Sequence, residues 1–188
     1  MHYCIHLFTE ELPSKAQIEE LMAPYNENVI YGDEEDKTTE ISYPEFMWDW
    51  YQIGGRYCGR LKLKMQIDKE DEYQWKYNSR EPREGRLFYS SLLRKIREKF
   101  AFYEGREEDY YGYMGDYTYL RVDGAKIKDL LNADELECYG YIDVDGSALV
   151  RSYWNGKEFE EREDFDERYK EKLKERSDCF LTVIDIHD

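Results

Sequence analysis

The closing stretch of the chain, "CFLTVIDIH" (residues 179–187), constrains the fold more than any other. It is apolar or β-branched at nearly every position rather than at alternate ones, and so reads as a strand at the centre of a sheet. A second β-rich run, "HYCIHLF" (residues 2–8), opens the chain. Both are apolar, and each needs a partner for its backbone groups, which predicts that the two terminal strands are neighbours in one sheet.

The intervening sequence mixes helical and strand periods without a regular βαβ rhythm. "PSKAQIEELMAPY" (13–25) has Pro13 and Ser14 at its start and Ile18, Leu21 and Met22 at helical spacing, and Pro24 stops it. Residues 26–45 are polar and acidic and read as a long loop. "RLKLKMQI" (60–67) alternates strictly, which predicts a half-buried strand; residues 68–85 are charged and loop-like. "RLFYSSLLRKIREKFAF" (86–102) places Phe88, Leu92, Ile96 and Phe100 on one helical stripe. A strand is expected near 117–122 and a short helix over "AKIKDLLNA" (125–133). A hairpin is expected over 137–154 with Asp145-Gly146 at its turn, then a helix over 165–176 with Phe165, Tyr169 and Leu173 on its buried stripe. The sum is one α+β domain over residues 1–188. Its sheet is mostly antiparallel, helices pack on one side, and the N- and C-terminal strands are adjacent.

Charge bounds the function. The chain of 188 residues carries a formal net charge of −16, and the sign is uneven along it. Residues 1–53 hold 2 basic and 12 acidic side chains, residues 54–103 hold 13 and 7, and residues 104–188 hold 12 and 24. So negative a surface argues against direct nucleic-acid binding and fits a partner that is itself basic. The sequence lacks an apolar run of membrane-spanning length and a signal peptide, and its four cysteines have no CxxC spacing. These features predict a protein of the cytoplasm with reduced thiols and no membrane partner.

Three clusters are candidates for chemistry. The first is "FMWDWYQIGGRYCGRLKLK" (46–64). Its aromatics either fill the core while Gly54-Gly55 set the strand angle, or Trp48, Trp50, Gly54, Gly55 and Arg56 line a ligand or nucleotide site with Arg56 gripping an anion. Trp48 and Trp50 share a side if the segment is extended, and one of the glycines is expected at positive φ. The second is the histidines of the terminal strands. His2, Cys4 and His6 share one face, as do Asp185 and His187, and pairing of the strands would gather them into an acid–base or metal site or merely a polar sheet end. The third is the acidic tyrosine run: Glu107, Glu108, Asp109, Tyr110, Tyr111, Tyr113 and Asp116. Carboxylates beside rings suit an interface that imitates nucleic acid, or a partly buried loop. "DVDGS" (143–147) lacks the twelfth-position Glu of a calcium loop, and no hydrolase, kinase or zinc-protease motif is present, so neither a catalytic set, a metal nor a cofactor is assigned.

Several phrases taken together resemble a family of small phage and prophage proteins: "LMAPYNEN" (21–28), "WDWYQIGGRYCG" (48–59), "DGSALVRSYWNG" (145–156) and "LTVIDIHD" (181–188). That family carries AP(Y/F)xE, WDWYxxGGRWxG, DGxW and C-terminal VDxH elements. The present chain departs from it at Tyr57, where Trp is usual, and at Ser147-Ala148. The resemblance implies an accessory phage gene. In composition the chain is also similar to anti-CRISPR and anti-restriction inhibitors. The expectation is then a non-enzymatic, acidic inhibitor in the bacterial host cytoplasm. Its expected partner is a basic host defence protein such as a CRISPR effector nuclease or its guide-RNA complex. The alternative is a small-ligand or nucleotide binder, or an enzyme, built on the WDWYQIGGR element.

Overall fold

A computed structural model describes residues 1–28, 46–64, 119–155 and 157–188. In chain order these form β1 (His2–Thr9), α1 (Lys15–Met22), β2 (Trp50–Ile53), β3 (Leu61–Lys64), β4 (Tyr119–Val122), β5 (Gly124–Lys126), β6 (Gly140–Ile142), β7 (Ala148–Val150), β8 (Ser152–Trp154), β9 (Phe159–Glu161), α2 (Phe165–Glu175) and β10 (Phe180–His187). The predicted helix over 86–102 and the acidic tyrosine run at 107–116 lie outside the described residues.

The fold is α+β with a mostly antiparallel sheet of six strands. Its order is β2-β10-β1-β6-β7, with β5 also on β10. The terminal strands pair antiparallel along their whole length, from His2 opposite His187 to Thr9 opposite Phe180. Among the described residues, β1–β6 is the one parallel pair within this sheet. Strand β10 is central, as its unbroken apolar sequence predicts. On its far side β2 covers residues 184–187 and β5 covers 180–182. At the junction of the two, Gly54 N donates to Val183 O at 2.8 Å and Val183 N donates to Asp123 O at 2.7 Å, so the ladder is completed by loop backbone.

Both faces of this sheet are buried, and the helices lie on opposite faces, which corrects the expectation of helices on one side. Ile5, Leu7, Ile184 and Ile186 point into a core closed by Ile18 and Met22 of α1, together with Tyr25, Phe46 and Trp48. Cys4, Phe8, Leu181 and Val183 point into a second core closed by Phe165, Tyr169 and Leu173 of α2, and by Leu61, Leu63 and Val122 of the β3–β4 pair. Successive residues of β1 and β10 serve different cores, so neither strand alternates in polarity.

The helix α1 starts where Ser14 and Gln17 form a reciprocal capping box. Ser14→Ala is expected to cost about 1 kcal/mol of stability, read from chemical denaturation. The short helix expected over 125–133 is not formed. Gly124–Lys126 is drawn into the sheet against β10, and Ile127–Asp129 and Ala133–Glu135 make single 3-10 turns. Asn132 takes over the local backbone groups: Lys62 N donates to its Oδ1 at 2.9 Å and its Nδ2 donates to Arg60 O at 2.9 Å. Ladder pairing and this amide clamp outweigh the weak propensity of nine residues.

The β6–β7 hairpin turns through residues 143–147 with Gly146 at φ 82°. Asp143, in this turn, ties the hairpin to α2. Lys172 Nζ donates to it at 2.7 Å, and Arg176 Nε and Nη2 donate at 2.8 and 3.1 Å. Burial alone raises the Asp143 carboxyl, but the hydrogen bonds from Arg176, Lys172 and Val144 N prevail and hold it at about 2, against 3.8 for a free Asp. A depressed pKa contributes stability above pH 4 that is lost as pH falls through about 2. Asp143→Asn is therefore expected to lower stability by about 1–2 kcal/mol at pH 7, a deficit that closes between pH 4 and 2. Paired melting curves across that range check it.

Candidate functional site: a polar sheet end and a neighbouring cavity

Two glycines in left-handed conformation organise the WDWYQIGGR element. Gly54 has φ 71° and Gly55 has φ 50°, as expected for at least one of them. Each lies against a buried carboxylate: a Cβ on Gly54 would sit 2.5 Å from Asp123 Cγ, and one on Gly55 would sit 2.5 Å from Asp185 Cβ. Asp123 is fully buried, and its Oδ1 accepts from Gly59 N at 2.8 Å. Asp185 is 1% exposed; its Oδ2 accepts from Arg56 N at 2.8 Å and its Oδ1 faces His2 Nδ1 at 2.9 Å. The glycine loop does cradle anions, but they are the chain's own.

This arrangement separates the five residues expected in a ligand site. Trp48 is core: its indole Nε1 donates to Met22 O at 2.9 Å. Trp50 stands 42% exposed and stacks on His187 with centroids 5.7 Å apart. The two tryptophans do not share a side, because the chain bends at Asp49, whose carboxylate accepts from Trp50 N at 2.7 Å. Gly54 and Gly55 are filled by Asp123 and Asp185. Arg56 is exposed and makes no ion pair among the described residues.

The histidine expectation fares differently. His2, Asp185 and His187 do meet on one face, where Asp49 joins them. His187 Nδ1 lies 2.9 Å from Asp49 Oδ1, and the His2 and His187 rings stand edge to face at 5.0 Å. A carboxylate only accepts, so each neutral imidazole carries its proton on Nδ1 and presents Nε2 as a lone pair. His6 shares this face but not the cluster. It is wholly buried, faces the Tyr169 hydroxyl through Nδ1, and leaves Nε2 without a partner. Burial, with the Arg60 charge adding to it, lowers its pKa to about 3, so His6 is neutral across the physiological range. Among the described residues no group of three His, Cys, Asp or Glu is placed to hold a metal ion.

Beside this sheet end lies a cavity of about 430 Å³ that sequence patterns did not locate. Its lining comes from β1, the 57–60 segment, residues 137–139, Arg151 and the first turn of α2. Nothing in local spacing joins residues so far apart in the chain.

A second missed feature is the β8–β9 hairpin. Trp154 and Phe159 face each other across it, 53% and 72% exposed, with ring centroids 5.3 Å apart. Between residues 152 and 167 the sequence has seven carboxylates and two cations. Glu158, Glu163 and Glu167 are exposed and form no ion pair among the described residues. The signal for this hairpin was present as Asn155-Gly156 between Trp154 and Phe159.

No helix among the described residues is long and apolar enough to cross a membrane. No protein-family model, curated protein or solved structure matches the chain.

Proposed function

We propose that the protein is an acidic, non-enzymatic inhibitor of phage type that docks on a basic host defence protein and blocks its contact with nucleic acid. The expected target is a CRISPR effector nuclease, and the setting the bacterial cytoplasm. The observation that carries the docking surface is the exposed Trp154–Phe159 pair on a hairpin bordered by unpaired carboxylates. Large aromatics held in water on a two-stranded ribbon are an unusual expense for a monomer and a common anchor at interfaces. Carboxylates around them steer a cationic partner and disfavour an acidic one. The alternative of a ligand at Gly54-Gly55 loses support, because Asp123 and Asp185 already occupy that loop.

The test is binding of the purified chain to a purified CRISPR effector nuclease, followed by interferometry. Reversing Glu158 and Glu161 to Lys should slow association at least roughly tenfold, whereas reversing Glu19 and Glu20 of α1 should change it less than about threefold. The sequence-based surface at Glu107, Glu108 and Asp109 enters the same assay as a third variant. Equal effects from all reversals would reduce the hairpin to general charge, and no binding at all would remove the target.

A further inference from the structure

The polar sheet end holds two carboxylate–histidine pairs side by side, an arrangement that the docking hairpin does not use. His2 on β1 and His187 on β10 stand directly opposite each other in the antiparallel register. His2 Nδ1 lies 2.9 Å from Asp185 Oδ1, and His187 Nδ1 lies 2.9 Å from Asp49 Oδ1. Each neutral imidazole thus commits Nδ1–H to a carboxylate and keeps the lone pair on Nε2. A histidine that ligates a metal is held in this way: the carboxylate on its second nitrogen fixes the tautomer and makes the free nitrogen more basic. Solvation of a strand end needs water alone and does not call for the same nitrogen of two adjacent rings to be tied to a carboxylate.

Spacing and charge both suit one cation. The two imidazole centroids are 5.0 Å apart. Two imidazoles bound through Nε2 to one ion at about 2.0–2.1 Å place their centroids about 4.5–5.2 Å apart. Trp50 braces both rings, lying parallel to His187 at 5.7 Å and edge-on to His2 at 5.4 Å. The histidine side chains are 15% and 36% exposed, so an ion reaches them from solvent without opening the sheet. Asp185 supplies a second observation. It is 1% exposed and forms no ion pair with a Lys or Arg side chain among the described residues; its partners are Arg56 N and His2. Buried carboxylates are balanced by a cation or by a metal, and a metal on His2 Nε2 places that charge one ring away. Two imidazoles are one ligand short of a three-residue metal group, so the remaining positions fall to water. Imidazole nitrogen selects zinc, nickel or copper over magnesium and calcium.

We infer that His2 and His187 hold one divalent transition-metal ion through their Nε2 atoms, with Asp185 and Asp49 as positioning residues. The probe is Zn²⁺, titrated into the full chain and followed by calorimetry and by long-range ¹H–¹⁵N NMR of the imidazoles. The expected result is saturation at one equivalent with a dissociation constant of about 1–100 µM, weaker than a four-ligand structural site. The Nε2 resonances of His2 and His187 should move while their Nδ1–H signals persist, and buried His6 should not respond. His187→Ala and His2→Ala should each weaken binding at least roughly tenfold while the melting temperature of the metal-free chain holds. Asp49→Ala should weaken it about tenfold or more, and Asp49→Asn, which keeps an acceptor for Nδ1–H, should weaken it less. Excess Mg²⁺ should not displace the zinc. The Trp154→Ala, Phe159→Ala double variant should bind zinc unchanged, which separates this site from the docking surface. The inference is overturned if zinc does not saturate below about 1 mM, or if either histidine variant binds as well as the parent. It is also overturned if Mg²⁺ displaces zinc, which would reduce the effect to the acidic surface, or if the response centres on Cys58 and Cys179 rather than on the imidazole nitrogens.

Discussion

Gly55→Ala is expected to destabilise the protein by about 3–5 kcal/mol. Two costs add. The backbone at φ 50° is left-handed, which an L side chain adopts only under strain. The new methyl would also collide with Asp185, 2.5 Å from its Cβ. Asp185 cannot retreat cheaply, because it is 1% exposed and holds both Arg56 N and His2 Nδ1. Gly146→Ala provides the contrast. It too has positive φ, at 82°, but nothing lies within 4 Å of the added atom, so about 1 kcal/mol is expected there. Urea denaturation of both variants checks the difference; equal losses would mean that backbone strain alone, and not the carboxylate, dictates Gly55.

The second large effect is on binding. Trp154→Ala with Phe159→Ala is expected to weaken the complex with the target at least roughly a hundredfold, mainly through faster dissociation. Both rings are more than half exposed, so the same double variant should cost less than about 1 kcal/mol of stability. A large binding loss beside an unchanged melt identifies anchors rather than core. The converse, a collapsed melt with a proportionate binding loss, would assign the pair to the fold.

Much of the architecture was legible because burial leaves a period in the sequence. The terminal strands and the stripe Phe165, Tyr169, Leu173 formed where their patterns put them, while the hairpin turning at Asp145-Gly146 pairs only 140–142 with 148–150, shorter than the expected 137–154 because Ser152–Trp154 pairs with β9 instead. The unbroken apolar character of 179–187 held more than was drawn from it. A strand apolar at both parities requires cover on both faces, and α1 and α2 supply that cover from opposite sides. The region 125–133 misled because its few apolar residues fit a helix locally, while pairing with β10 is a long-range term invisible in a short window. Trp48 and Trp50 diverged for a similarly local reason, a bend at Asp49 fixed by its own side chain.

The candidate sites divide along the same line. Positive φ at Gly54 and Gly55 was readable, since the pair precedes an alternating strand. The identity of what they admit was not, because Asp123 and Asp185 arrive from 69 and 130 residues away along the chain. The gathering of His2, Asp185 and His187 followed from strand pairing and side-chain alternation. His6 followed the alternation too, but α2 covers it and Tyr169 takes its ring nitrogen, so shared face did not mean shared site.

The most direct measurement of the central claim is a titration of the complex between this chain and a CRISPR effector nuclease against salt and against the nuclease's own nucleic acid. Exposed opposite charges are screened over about 10 Å at 0.1 M salt, so an interface steered by the acidic hairpin should associate more slowly as salt rises. Guide RNA or target DNA should displace the chain competitively if both use one basic surface. The account predicts an association rate that falls steeply with salt and an affinity that falls in proportion to added nucleic acid. An affinity indifferent to salt, with nucleic acid held in the same complex, would contradict it.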